Sequence, residues 1–324
     1  MFSRYAFIKK VSVAIALGAV AVYAGSSATA RAEYPDRPIE MTVLFGGSAL
    51  ATAQVLAEGM SQRLPQPVAA VSRTGGGGAV GYSYVHSMPA DGYNIVWNSN
   101  SISTTYHKGN MPFDYKAFDP VAQVSVEVPA LAVNASSGWN SLADLIKAAK
   151  AKGGKLKVGI SGKGSFTHLT SEALFSKAGV KVIYVPYGKG SAQAELLGGR
   201  IDAAVQWPSQ FISLAQAGKL KILAVTSAKR IDALPDVPTA KEQGIDIDIK
   251  MWRGIAVPKG TPKRVIGRLE EVIQHVVNSK AFRAAGKKLG FKPAYLPANI
   301  FGKVIASDDT KIAALMEELH MKKQ

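Results

Sequence analysis

KLKVGISGKGSFTHLTSEALF, residues 155–175, decides the fold because its character changes midway. The opening KLKVGIS reads as a strand, and a helix follows from about Phe166. Between them, Ser161, Gly162, Gly164, Ser165 and Thr167 set glycines and hydroxyls at a helix N-terminus. The N–H groups of a helix's first turn lack intrahelical partners, and the helix dipole there favours an anion. The same residues also border on an enzyme signature. Gly159-Ile160-Ser161-Gly162 approaches the nucleophile elbow, but Lys163 stands where the motif needs glycine. Two readings therefore stay open here: a hydrolase using Ser161 or Ser165 with His168 as base, or a loop that holds a ligand without reacting. A hydrolase would also need an acid to orient the histidine, and none stands out.

Strand-to-helix units of this kind recur along the chain. IEMTVLF (39–45) is a strand and ATAQVLAEGMSQRL (51–64) a helix, joined through Gly46, Gly47, Ser48, Ala49 and Leu50. PVAAVSR, YNIVWNSN, PALAVNA, KVIYVPY, IDAAVQW and LKILAVTS read as further strands, and helices follow many of them. Such alternation implies an α/β fold with largely parallel sheets. The order repeats in two blocks, after which MWRGIAVPKGTP leads back to two C-terminal helices. We expect two lobes, each a sheet flanked by helices: residues 33–128 plus 253–324, and residues 129–252. Two crossings would form a hinge, and a cleft would lie where strand ends face helix starts.

Ahead of the lobes, Arg4, Lys9 and Lys10 precede an apolar run over 11–25 and two small-residue exits, Ala28-Thr29-Ala30 and Ala30-Arg31-Ala32. That is the layout of a cleavable secretory signal peptide, expected over residues 1–32. It implies an exported chain. About 290 residues would remain, enough for two domains. Cysteine is absent, which excludes disulfides, thiol catalysis and thiolate metal sites. Four basic residues of the leader contribute to the formal +16, so the remainder carries +12. Its lysines are scattered, with no basic run interleaved with aromatics, so no nucleic-acid partner is expected. A field drawing small anions towards a cleft fits better.

Gly76, Gly77, Gly78 and Gly81 match G-x-G-x-x-G after a strand, but no acid ends a strand about 20 residues on. A tight turn is expected there, and no cofactor. His168 and Glu172 share a helix face, yet no second ligand pair accompanies them, so no metal site is expected. A third cluster of short donors, SNSISTT (99–105), contains Ser99 and Ser101. Three such loops on one cleft suit a carboxylate. Four or five charge-assisted hydrogen bonds of roughly 1.5–3 kcal/mol each, less the cost of association, reach micromolar affinity. Arg253 at the second crossing could add a bidentate clamp. Trp97, Phe166, Trp207 and Trp252 could sandwich a ring.

Longer matches follow: YPDRPIEMTV (34–43), PADGYNI (89–95), VPYGKG (185–190), ELLGGRIDAAV (195–205), AGKLKILAVTSAKRIDALPDVPTAKEQG (217–244) and AVPKGTP (256–262). With these the chain resembles the substrate-binding receptors of tripartite tricarboxylate transporters, the Bug-type periplasmic receptors. The resemblance implies a two-lobed periplasmic-binding-protein-like fold that closes on a small carboxylate. It implies a monomer that delivers its ligand to the membrane subunits of the tripartite transporter; a signalling role towards a sensor partner is equally compatible. Ligands in this family are held by backbone amides and ordered water at two opposed loops. These correspond to Phe45 through Leu50 and to Ser161 through His168, with Tyr187, Gln206 and Trp207 nearby. The chain departs from the family where Leu50 replaces an expected Asp, the natural partner of a ligand ammonium group. An aromatic dicarboxylate such as terephthalate is therefore expected rather than an amino acid.

Overall fold

The computed structural model describes residues 34–188 and 191–322. The expected leader, residues 1–32, lies outside them, as do Lys189 and Gly190. In chain order the first elements are β1 (Ile39–Val43), α1 (Ser48–Ser61), β2 (Val68–Ser72), α2 (Ala79–His86), β3 (Asn94–Ser99), α3 (Ser101–His107) and β4 (Phe118–Glu127). Next come β5 (Ala130–Asn134), α4 (Leu142–Ala151), β6 (Lys157–Ile160), α5 (Phe166–Lys177), β7 (Ile183–Pro186), α6 (Ala192–Leu197), β8 (Ala203–Gln206), α7 (Pro208–Gln216) and β9 (Leu220–Val225). The chain ends with β10 (Met251–Pro258), α8 (Lys263–Val277), α9 (Lys280–Leu289), β11 (Lys292–Pro297) and α10 (Ala298–Glu318).

The strands form two sheets, ordered β11-β4-β10-β3-β1-β2 and β7-β6-β8-β5-β9. Both are mixed rather than largely parallel. In the first, β2, β1 and β3 run parallel, while β10, β4 and β11 pair antiparallel. In the second, β7, β6 and β8 run parallel and β5 opposes both β8 and β9. The reason lies in the crossings. β4 leaves the first sheet and β10 re-enters it, so the two must oppose each other, and β5 starts at the seam and runs away from it.

This topology places the functional ends. Since β4 runs towards the seam and β10 away from it, β1, β2 and β3 must run towards it. By the same logic so do β6, β7, β8 and β9. The loops after β1, β3, β6 and β8, with the N-termini of α1, α3, α5 and α7, therefore gather at one seam, as ligand sites do at strand ends in open α/β sheets.

The crossings lie side by side. Thr226 Oγ1 donates to Ile249 O at 2.8 Å and contacts Pro129 O at 3.2 Å, while Ile249 N–H donates to Thr226 O. A third connection comes from α10. Its first half packs on β4 and α3, with Phe301 edge-on to Trp252 at 4.9 Å. Its second half buries Ile312 and Met316 with Phe166, Leu169 and Trp207 of the second sheet's layer. The C-terminal helix is thus a strap, where the sequence suggested packing on the first block alone. β4, α9 and β11 were not anticipated, because Pro120 and short mixed patterns hide them. Ser99 and the serine- and threonine-rich α3 are buried rather than lying on a loop, a case of tertiary context overriding weak helix propensity.

Met316 is fully buried between α10 and α5. Met316→Ala is expected to cost about 2–5 kcal/mol in denaturant unfolding, the usual range for a buried Met truncation. A loss under about 0.5 kcal/mol would mean that the strap does not bear on stability.

Candidate functional site

Two helix N-termini meet at the seam. α1 starts after Gly47, whose φ of 61° and ψ of −127° turn the chain into the helix, and no side chain caps it. Gly46 N–H donates to Gly188 O of the other sheet's layer at 3.2 Å. The N–H groups of Gly47, Ser48, Ala49 and Leu50 have no acceptor among the described residues. Ser48 and Ala49 are buried, Leu50 is half-buried in the first-layer core, and Phe45 packs beside Gly78.

Opposite, the loop from β6 into α5 is bound up in itself. Ser165 caps the helix through the His168 N–H, and Ser165 N–H donates to Gly162 O. Thr167 Oγ1 accepts from Ser161 N–H at 2.9 Å and lies 3.1 Å from Ser165 Oγ. Ser161 Oγ donates to Gln206 Oε1 at 3.0 Å. The hydroxyls of Ser161, Ser165 and Thr167, expected to grip a ligand, thus have partners within the protein. The backbone N–H groups of Gly162, Lys163, Phe166 and Thr167 have none among the described residues. The anion-binding capacity of both loops resides in main-chain donors.

The glycine run near residue 77 is a contact plate between the layers. Gly75, Gly76, Gly77 and Gly78 all have positive φ, and a Cβ on Gly77 would sit 2.8 Å from Lys163 O. Asn110 reaches Gly76 O at 3.0 Å and Lys163 O at 3.4 Å, and Thr105 bonds Gly77 O. A surface depression of about 500 Å³ lined by Tyr106, His107 and Asn110 lies beside this contact.

His168 does not act as a base for either serine. Its Nδ1 accepts the Gly164 N–H at 3.1 Å, and its ring meets Tyr184 edge-on at 4.8 Å. Burial, followed by the charges of Lys108 and Lys163, lowers its pKa to about 4. Glu172, on the same helix face, bonds Tyr184, whose phenol is pushed up by burial and then by that carboxylate. No cluster able to hold a metal occurs among the described residues.

Several expected contacts lie elsewhere. Trp97 belongs to the first core. Trp252 docks α10, with its Nε1 donating to Asp308 at 3.1 Å and its N–H bonded to Asn100. The Phe166 ring joins the strap cluster. Tyr187 packs on the second-layer core beside Glu195, which after burial raises its pKa. Arg253 is no free clamp: it is buried and pairs with Glu127 at 3.0 Å, under the Trp207 ring at 4.8 Å. Sequence reasoning missed Glu127, Ser125 and Gln210. A lone acid within VAQVSVEVPALAV was the available signal, since strand interiors seldom bury an unpaired carboxylate.

Two sheets flanked by helices, with main-chain donors facing each other at their seam, match a binding protein of the two-lobed α/β class. The model of the tripartite tricarboxylate transporter family receptor matches residues 52–321. The chain belongs to that family, which consists of receptors and not enzymes. It is 32% identical to Protein BugT of Bordetella pertussis over 93% of this chain and 95% of that one. Among solved structures it is similar to the periplasmic binding protein BugD, with a TM-score of 0.85, 28% identity, and coverage of 90% of this chain and 100% of the other. An R. palustris protein solved with adipate gives a TM-score of 0.84 at 26% identity, covering 89% and 98%.

The low pKa of His168 makes folding pH-dependent. Below pH 6.5 the unfolded chain takes up a proton that the folded chain refuses, so this contribution is full above 6.5 and falls as pH drops towards 4. Between pH 7 and pH 4 the wild type is expected to lose up to about 3 kcal/mol more stability than His168→Asn, whose amide oxygen can replace Nδ1. Parallel losses in the two proteins would refute the neutral-imidazole assignment.

Proposed function

We propose that the protein is a periplasmic receptor that captures a small organic carboxylate at the seam and hands it to the membrane subunits of a tripartite transporter. The observation that carries this reading is the pairing of unpartnered first-turn N–H groups at α1 with those at α5. Each charge-assisted hydrogen bond is worth roughly 1.5–3 kcal/mol, and each helix terminus about 0.3–1, up to about 2 when partly buried. Adipate in the similar R. palustris structure supports the ligand class. A cleavable leader over 1–32 and the periplasmic relatives support export. Lobes at 33–128 plus 253–324 and at 129–252 would close about the crossings as ligand binds, shifting the population towards the closed form. The protein acts as a monomer in this scheme.

Within the class, an aromatic dicarboxylate such as terephthalate draws support from Leu50, which leaves the first turn of α1 without an acid. The pairing of Arg253 with Glu127 weighs against it, because a second carboxylate would lack a free cation. Calorimetry against mono-, di- and tricarboxylates and amino acids tests the reading; binding of an amino acid and of no simple carboxylate would overturn it. Leu50→Asp separates binding from folding. Leu50 is half-buried on the first core, so a stability loss of about 1–2 kcal/mol is expected, partly offset because an acid in the first turn suits the helix dipole. Affinity for a carboxylate should fall roughly tenfold or more, since like charge is placed at the anion site. Unchanged affinity would put the ligand elsewhere.

A further inference from the structure

The inner end of the seam holds a second polar cluster, distinct from the two helix N-termini. Strand register aligns Ser99, Arg253 and Ser125 across three adjacent strands. Glu127, two residues beyond Ser125 on β4, shares that face and pairs with Arg253 Nη2 at 3.0 Å. From the other layer, Trp207 covers the guanidinium, and its sequence neighbour Gln206 accepts from Ser161 of the α5 loop.

These side chains are more than nine-tenths buried, yet their bonding is incomplete. Arg253 Nε and Gln206 Nε2 are donors with no acceptor among the described residues. Glu127 Oε1 and Gln210 Oε1 are acceptors with no donor, and the hydroxyls of Ser101 and Ser125 are also unpartnered. Buried polar atoms are rarely left so, and the open Nε and Oε1 of one paired Arg253 and Glu127 call for a polar guest. The ion pair fixes which guest. Arg253 is already neutralised, so a carboxylate arriving here would meet Glu127 Oε1 with like charge. A hydroxyl could instead donate to Glu127 Oε1 and accept from Arg253 Nε.

We infer that Glu127 and Arg253 form a specificity subsite for a hydroxyl at the far end of the ligand, making the preferred substrate a hydroxy-carboxylate rather than a dicarboxylate. This rests on the carboxylate-receptor reading. The carboxylate of such a ligand sits on the α1 and α5 N-termini, and its hydroxyl donates to Glu127 Oε1 and accepts from Arg253 Nε between the two crossing strands. Glu127 and Arg253 lie on those strands, so the same contact ties ligand chemistry to lobe closure.

The test is calorimetry on the purified protein with two matched series that vary only at the far end. One is benzoate, 4-hydroxybenzoate and terephthalate; the other is hexanoate, 6-hydroxyhexanoate and adipate. In whichever series binds, the hydroxy member should be tighter than both companions by roughly tenfold or more, because a site built to bond a hydroxyl rejects its analogues. Glu127→Gln, which removes the like charge, should move the dicarboxylate-to-hydroxy affinity ratio at least about tenfold towards the dicarboxylate. A wild type that prefers the dicarboxylate overturns the inference while leaving the receptor reading intact. An unchanged ratio in a folded Glu127→Gln does the same. If that variant does not fold, the wild-type series decides alone. Failure of every carboxylate in both series overturns this subsite, while the receptor reading is decided by the wider panel of tricarboxylates and amino acids.

Discussion

An α-helix cannot satisfy the N–H groups of its own first turn, and much of this molecule follows from where that shortfall is placed. A side chain supplies a missing acceptor at the starts of α4, α5 and α9. Ser141 and Asp144 do so for α4 through a reciprocal capping box, and Ser279 does so for α9. α1 has no such cap, and the loop into α5 uses its hydroxyls to brace itself while leaving several main-chain donors open. The two sheets are arranged so that these incomplete ends meet. The positive end of each helix dipole points into the same seam, giving a site for negative charge that needs no buried lysine or arginine.

Rigidity and mobility are divided accordingly. Each lobe carries its own buried core, so its loops are held on a firm base. Between the lobes run two crossing segments bonded through Thr226, a glycine plate in contact with Lys163, and the α10 strap. Among the described residues, Gly46 bonds Gly188 and Asn110 bonds Lys163 from one layer to the other. The strap packs against both layers. The buried Glu127–Arg253 pair lies between the crossings. A pair in that position resists removal of either partner, because the survivor would be a buried, uncompensated charge.

The sequence by itself determined the alternation of strands and helices, the two blocks, the glycine- and serine-rich loops at helix starts, and the family. These are local signals: period, cap chemistry and motif order act over a few residues and survive without tertiary context. It also marked the loops at Phe45 through Leu50 and at Ser161 through His168 as the place to look. It could not say which atoms of those loops stay free. Ser165 and Thr167 are donors by composition, yet their oxygens are engaged within the loop, a matter of angles that no residue list contains.

Only the tertiary structure decided the direction of the crossing strands, and with it the mixed sheets. It also turned Trp252 and Phe166 to anchoring α10, and joined Arg253 to an acid 126 positions away. The physical reason is common to all three. Burial and pairing depend on contacts between distant segments, whereas a single chain of residues displays only what each residue can do alone. Arginine and tryptophan serve equally well at a core, a hinge or a ligand, and the fold selects among those uses.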